Sequence, residues 1–309
     1  MTVLPPGGLV RPAALKPGDR VAVIAASGPP DQRNLETGLT SLRGLGLEPE
    51  VFASARADGD YLAGDDRLRA EDLTAALTDP SFAAVFCAAG GYGAQRTLEL
   101  VDWRRIGTPT PRVIVGYSDV TALLEAVAVK LGWASLFGPM PACGGFGPGH
   151  DDFDSLARLL TDPKSVRELR FPDSRPLIGG SAEGVTLGGT VTLLACSLGT
   201  DTSLPAAGGL VLMEDVGEEP FRLDRFLTQL RRGGYLDGAA GVICGTFTGC
   251  GERDQVEALL RDRLGDLGIP VLIRADIGHG VPQQTFPIGV RARLDADAGT
   301  LTLQDPALR

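Results

Sequence analysis

The sequence predicts an α/β protein in which an N-terminal, mostly parallel sheet is flanked by helices and a second, mixed α/β domain follows. Short apolar runs alternate with segments whose apolar residues recur at helical spacing, an order typical of parallel sheets covered by helices. Residues 162–184 interrupt this pattern, because they are rich in Pro, Gly and charge and have no clear period. We therefore predict an N-terminal domain over residues 1–165, a linker over 166–184 and a C-terminal domain over 185–309.

The N-terminal elements alternate along the chain. Residues 21–25 are a continuous apolar run, which predicts a buried strand. Leu35, Leu39 and Leu42 then fall on one face of a helix. The order continues with a helix around 73–77, strands at 83–88 and 112–115, and helices at about 120–129 and 153–160.

The C-terminal half contains more mixed segments. In order, they are an apolar segment at 186–195, a strand at 210–213, a helix at 223–230, a strand at 241–244, a helix near 256–264 and a strand at 271–273. Residues 290–303 alternate between apolar and polar around Ala298 and Gly299, which predicts a pair of exposed edge strands.

Composition excludes several classes of function. The chain has 29 Lys and Arg against 39 Asp and Glu and no dense basic cluster, so a nucleic-acid partner is not expected. No apolar run approaches the ~20 residues of a membrane helix, and residues 1–15 lack the apolar run of a signal peptide. The five cysteines are scattered without a CxxC pair, which predicts free, buried thiols, no metal site and a cytoplasmic protein.

Ser118 is the candidate nucleophile. It lies in Val-Gly-Tyr-Ser-Asp, between a predicted strand and a predicted helix, where a serine can be held out on a sharp turn. The free N–H groups of the helix start, including that of Asp119, favour a developing oxyanion. The alternative is that Ser118 or Asp119 is an N-cap. The hydrolase pattern G-x-S-x-G is also incomplete, because its last position is Val120.

Two histidines are candidates for the base that a serine nucleophile needs. His150 lies in a polar turn and is explained as a solvated loop residue. His279 follows the apolar run 271–273 and is flanked by Gly278 and Gly280, so backbone and substrate can approach it closely. We prefer His279, with a polar turn residue as the alternative.

Glu214 is the candidate that orients the base, since it directly follows the strand at 210–213. Glu218 and Glu219 precede a helix and are explained by its dipole. Asp215 is a possible turn acceptor, and Glu214 itself is open to a structural role as a salt-bridge partner. Ser118, Glu214 and His279 each follow a predicted strand, so we expect them at the sheet edge where ligands bind in α/β proteins.

A glycine-rich segment follows the strand at 83–88. The N–H groups of Gly90 and Gly91 predict an anion-binding turn for an oxyanion or a phosphate, with a plain tight turn as the alternative. The dinucleotide pattern G-x-G-x-x-G fails because Arg96 stands at its last position. Arg96 and Arg225 are candidates for binding a substrate carboxylate, since a guanidinium pairs with carboxylate through two hydrogen bonds.

Taken together and in order, these segments resemble the LD-carboxypeptidase family, serine peptidases that include the microcin-immunity peptidase, over nearly the whole chain. The segments that carry the resemblance are Lys16-Pro17-Gly18-Asp19-Arg20, Tyr61-Leu62-Ala63-Gly64-Asp65-Asp66-Arg67, Gly90-Gly91-Tyr92-Gly93, Gly116-Tyr117-Ser118-Asp119, Leu187-Gly188-Gly189, Glu214-Asp215-Val216-Gly217-Glu218-Glu219-Pro220 and Gly278-His279-Gly280.

The resemblance implies a triad of Ser118, His279 and Glu214, with oxyanion donors at the backbone of Asp119 and of the Gly90–Gly91 turn. It further implies a β-barrel-like core in the C-terminal domain, a homodimer, and no metal or organic cofactor. The implied reaction releases terminal D-alanine at the L,D-amide bond of a cytoplasmic muropeptide, in cell-wall recycling.

Three positions depart from the family pattern. Ala89 replaces an Arg, Ala26 replaces a Pro, and Thr190 replaces the Asn of a Gly-Gly-Asn segment. The change at 89 bears on recognition of the substrate carboxylate. Two alternatives therefore stay open, an immunity-type peptidase that cleaves an aminoacyl-nucleotide toxin and a non-catalytic small-molecule binding module.

Overall fold

The structure is a computed structural model that describes residues 4–107 and 110–309, so the first three residues of the segment examined for a signal peptide lie outside it. Two sheets with helices on their faces make up the described chain, which confirms the predicted α/β class. The elements of the N-terminal half are β1 (Arg20–Ile24), α1 (Gln32–Gly44), β2 (Glu48–Val51), α2 (Asp66–Thr78), β3 (Phe82–Cys87), α3 (Ala94–Leu100), α4 (Trp103–Ile106), β4 (Val113–Gly116), α5 (Thr121–Leu131), β5 (Ser135–Phe137) and α6 (Asp151–Thr161).

The second half is also mixed. Its elements are β6 (Glu168–Arg170), β7 (Arg175–Ile178), β8 (Ser181–Thr190), α7 (Val191–Ser197), β9 (Gly209–Val216), α8 (Pro220–Arg232), β10 (Gly241–Thr248), α9 (Arg253–Leu264), β11 (Val271–Ile273), β12 (Phe286–Ile288), β13 (Arg291–Asp295) and β14 (Thr300–Leu303).

The first sheet has the strand order β12-β5-β4-β3-β1-β2. All its pairings are parallel except that of β12, which lies antiparallel to β5. Alternate residues of β1 serve the two faces: Val21 and Val23 pack in the cluster that contains α1 and α6, whereas Ala22 and Ile24 pack with α2 and α5. Because β1 is buried on both faces, its sequence is a continuous apolar run.

The second sheet has the order β6-β14-β13-β8-β9-β10-β11-β7. Within the described residues its edges β6 and β7 do not pair, so the sheet is open and is not a closed barrel. Only residues 171–174 separate these two edges along the chain, which brings them within about 18 Å of each other. The barrel-like core that the resemblance implied is therefore an open, eight-stranded sheet in the described structure.

Three details differ from the sequence predictions. The predicted linker at 166–184 contains β6, β7 and the start of β8, so it contributes strands to the second sheet. The pair β13 and β14 is interior, because β8 and β6 flank it. The strand β12 leaves the C-terminal half and extends the first sheet. The division into two domains stays a prediction.

Two further findings concern burial. All five cysteines are free, but Cys196 is exposed and Cys143 is half-buried, so the prediction that all are buried was wrong for these two. No helix in the described ranges is both long and apolar enough to cross a membrane.

Candidate active site

Ser118 lies on a strained turn at the carboxyl end of β4. One residue separates it from the strand, and a 3-10 turn over Ser118–Val120 leads into α5. Its φ is 63°, a left-handed conformation that costs a non-glycine residue roughly 1–3 kcal/mol. The strain is typical of a nucleophile elbow, although Val120 stands where G-x-S-x-G has its last glycine. The valine fits because Gly116 has no side chain. A Cβ on Gly116 would lie only 2.6 Å from Val120 Cγ1.

The N-cap alternative for Ser118 and Asp119 does not match the contacts. Neither the 3-10 turn nor α5 has a side-chain cap at its start. Asp119 instead reaches across to α3, where its Oδ2 accepts a 2.8 Å hydrogen bond from the Ala94 N–H. Burial raises the pKa of Asp119 above its ordinary value, and this hydrogen bond partly opposes the shift. Asp119 thus ties the segment of the nucleophile to the glycine-rich segment before α3.

The glycine-rich segment packs directly against Ser118. A Cβ on Gly90 would lie 3.0 Å from Ser118 Cβ and 3.1 Å from its Oγ, so only glycine leaves the hydroxyl free. The Gly90 carbonyl accepts a 2.9 Å hydrogen bond from Gly28, which fixes the turn. Gly91 has a φ of 105°, which a side chain rarely tolerates. The predicted oxyanion turn therefore lies beside the predicted nucleophile.

Glu214 and His279 form a buried acid–base pair. Glu214 lies within β9 and is fully buried, and its Oε2 is 2.7 Å from His279 Nδ1. The same oxygen accepts a 3.2 Å hydrogen bond from the His279 backbone N–H. With Nδ1 as the donor, the other ring nitrogen, Nε2, is left as an acceptor, which is the tautomer that a general base needs.

The competing acidic residues have other partners. Asp215 accepts hydrogen bonds from the backbone and the hydroxyl of Thr192, and burial raises its pKa to about 6. Glu218 pairs with Arg222 at the start of α8. His150 precedes α6, and its side chain makes no capping bond.

The nucleophile segment meets the acid–base pair through aromatic contact. The Tyr117 and His279 rings have centroids 4.9 Å apart, which places the imidazole beside the residue that precedes Ser118. In the described part of the chain, the hydrogen bonds of His279 go to Glu214 and do not include Ser118.

Sequence analysis did not predict a role for Thr190 in the site and noted it only as a departure from the family pattern. Thr190, at the end of β8, is buried and donates its hydroxyl to Glu214 Oε1. Its own backbone N–H donates to Thr121 Oγ1 at 3.1 Å. The sequence did not predict this contact, because Glu214 lies on the neighbouring strand β9 and the pairing of β8 with β9 is not visible in the linear sequence.

The two arginines proposed for substrate binding differ in their partners. Arg96 is held by Asp66 through its Nη2 and Nε, at 2.7 and 3.1 Å, and this pairing raises its pKa. Arg225 is exposed and lies over the Phe221 ring, with Cζ 5.4 Å from the centroid. Neither contact involves the acid–base pair, so both assignments stay predictions. Across residues 4–107 and 110–309, no three His, Cys, Asp or Glu side chains are grouped to hold a metal ion.

Comparisons with known proteins bear on the family of the chain. The family model of the LD-carboxypeptidase N-terminal domain matches residues 21–138, and that of the C-terminal domain matches residues 183–294. The chain is 50% identical over 304 residues to a putative carboxypeptidase of Streptomyces coelicolor, covering 97% of this chain and 98% of that protein. It is 33% identical over 290 residues to a murein tetrapeptide carboxypeptidase of Pseudomonas aeruginosa, covering 90% of this chain and 94% of that protein.

A solved structure with a similar fold is that of the microcin C7 self-immunity protein MccF in its apo state. The TM-score is 0.87, with 97% of this chain and 100% of that chain covered. The sequence identity is 21%, so this likeness is one of fold.

Proposed function

The chain belongs to the LD-carboxypeptidase family and is a serine-type peptidase, and we propose that it releases terminal D-alanine from a muropeptide in the cytoplasm. The bond cut is the amide between the L-centre of a diamino acid and the D-amino acid. The name of the Pseudomonas relative, a murein tetrapeptide carboxypeptidase, supports this substrate class. The observation that carries the proposal is the 2.7 Å pairing of His279 Nδ1 with buried Glu214 beside a strained Ser118.

In the proposed mechanism, His279 Nε2 takes the Ser118 proton and the serine oxygen attacks the scissile carbonyl. Glu214 holds the ring in the required tautomer and stabilises the imidazolium that forms. Full burial of Glu214 strengthens this interaction, because the carboxylate has no competing water. A short hydrogen bond between Ser118 and His279 is expected once substrate fills the site, as catalytic hydrogen bonds often tighten on binding.

The oxyanion of the tetrahedral intermediate is proposed to bind the N–H groups of Asp119 and of the Gly90–Gly91 turn. The contact of Gly90 with Ser118 supports this, because it brings the turn to the nucleophile. His279 then protonates the departing D-amino acid, and the acyl-enzyme forms on Ser118. Water, activated by the same ring, releases the remaining peptide and restores the serine.

The test is chromatography of a cell-wall tetrapeptide incubated with the protein, with free D-alanine as the product. Ser118→Ala is expected to lower turnover by roughly 10³–10⁶-fold and to leave the fold intact. Wild-type turnover in that variant would remove Ser118 from the mechanism. An otherwise identical tetrapeptide ending in L-alanine is the matched substrate control, and equal cleavage of both would contradict the proposed stereochemistry.

Two other outcomes distinguish the alternatives. Cleavage of an aminoacyl-nucleotide in place of the tetrapeptide would favour an immunity-type peptidase, an alternative supported by the similar fold of the microcin C7 self-immunity protein. Failure of a fluorophosphonate probe to label Ser118, with the protein folded, would favour a binding module without catalysis. The proposed homodimer is checked by sedimentation at several concentrations, and the cytoplasmic location by cell fractionation.

A further inference from the structure

We infer that Thr190 is a positioning residue of the active site, which holds the Glu214 carboxylate and ties it to the helix that begins behind Ser118. This inference rests on the proposed function, since it concerns the same acid–base pair. Position 190 is also one of the three positions at which the chain departs from the family pattern, with Thr in place of Asn.

The contacts of Glu214 divide its two oxygens between two partners. The Oε2 atom serves His279, through the ring and the backbone N–H. The Oε1 atom accepts the Thr190 hydroxyl. Glu214 is fully buried and Thr190 is 3% exposed, so water does not supply a replacement donor. Without the hydroxyl, Oε1 would be a buried carboxylate oxygen with no partner in the described structure, which is a costly state.

Thr190 also connects the second sheet to helix α5. It ends β8 of the second sheet, and its backbone N–H donates to the hydroxyl of Thr121, the first residue of α5. That helix starts directly after the 3-10 turn that contains Ser118. A Cβ on Gly189 would lie 2.7 Å from Thr121 Oγ1, so the strand and the helix start are in direct contact. Thr190 therefore links Glu214 to the start of the helix that follows the nucleophile segment.

Removal of the hydroxyl has a predictable electrostatic consequence. One fewer donor then stabilises the Glu214 anion, so its charge acts more strongly on the neighbouring imidazolium. We expect the acidic limb of the pH–rate profile to move to higher pH, an effect that a purely structural threonine would not produce.

The experiment measures the rate at which a fluorophosphonate probe labels Ser118 across pH in full-length Thr190→Val, Thr190→Ala and Thr190→Ser. We expect labelling to slow by up to about 100-fold in the first two, with the shifted acidic limb, because misplacement of a catalytic group has effects of that size. Thr190→Ser retains the hydroxyl and should label at close to the wild-type rate. Thr190→Ala also removes the hydroxyl and provides the same test if the Thr190→Val protein does not fold.

The matched control is Thr186→Val on the same strand. Thr186 is equally buried, and its hydroxyl bonds the backbone of Val290 at 3.0 and 3.1 Å, away from Glu214. This variant should lose stability but keep the wild-type pH profile. Wild-type labelling in both Thr190→Val and Thr190→Ala, or equal impairment of Thr190→Ser, would overturn the inference alone. A wild-type chain that the probe does not label would overturn the proposed function, and the inference with it.

Discussion

Gly278 leaves the space that the Glu214 carboxylate occupies. A Cβ on Gly278 would lie 2.3 Å from Glu214 Oε2, the oxygen that faces His279. The residue also has a φ of 110°, which disfavours any side chain. The hydrogen bond between acid and base therefore depends on the absence of a side chain next to the histidine.

Gly278→Ala is expected to displace the carboxylate from His279 and to lower D-alanine release by about 100-fold or more. The measurement is kcat/KM on the tetrapeptide, alongside a thermal melt. Gly132→Ala is the matched control, because Gly132 also has positive φ, at 68°, but a Cβ there would meet nothing within 4 Å. It should cost about 1 kcal/mol of stability and leave turnover unchanged. Equal activity loss in both variants would argue for backbone strain as the cause.

Glu214→Gln tests the charge of the orienting group. The amide keeps the shape but permits the wrong imidazole tautomer, so we expect turnover to fall by roughly 10³–10⁴-fold. Asp215→Asn is the matched control, since this neighbouring carboxylate bonds Thr192 and not the histidine. The same assay on both variants separates the two residues. A larger effect at 215 than at 214 would reverse the assignment that the sequence favoured.

The chain contains two histidines, which allows a direct comparison. His279→Ala removes the proposed base and is expected to lower turnover by about 10²–10⁴-fold. His150→Ala should have no effect, because in the described structure the Glu214 carboxylate is bonded by His279 and Thr190 and not by His150. Chromatographic assay of both variants at the same enzyme concentration decides the matter, and loss of activity in His150→Ala would place the site elsewhere.

The parallel core of the first sheet was predictable because its strands are buried on both faces. Continuous apolar runs identify β1, β3 and β4, and the position of Ser118 follows from the order strand, turn, helix. The same reasoning identifies β9, whose buried end carries Glu214. Such local patterns are sufficient where one element determines the position of a side chain.

Contacts between distant segments were not predictable in this way. Strands β5 and β12 have three residues each, too few to show a period, and their pairing joins residues that lie about 150 positions apart. The helix α7 was missed because its apolar residues continue from β8 without a turn signal. The bond of Thr190 to Glu214 and the space left by Gly278 depend on neighbouring strands and loops, which the linear pattern does not record.

A buried carboxyl group behind the nucleophile makes stability depend on pH. Glu125, in α5, is 4% exposed, and burial raises its pKa to about 8. Its Oε1 accepts a 3.3 Å hydrogen bond from Leu204, whereas Oε2 has no partner in the described structure. The unfolded chain loses this proton near pH 4.5, while the folded chain keeps it until about pH 8. Folding stability should therefore fall as pH rises through this window, by up to about 1.4 kcal/mol per pH unit.

Glu125→Gln removes this titration, so the variant should gain stability relative to wild type between pH 5 and pH 8, by an amount on the order of a few kcal/mol. The measurement is urea unfolding of both proteins at several pH values, with the difference in unfolding free energy as the readout. Glu99→Gln, at an exposed position of α3, is the control and should leave the pH dependence as in wild type. A constant difference between Glu125→Gln and wild type across this range would mean that Glu125 is ionised in the folded protein, with a positive group or water close enough to stabilise its charge.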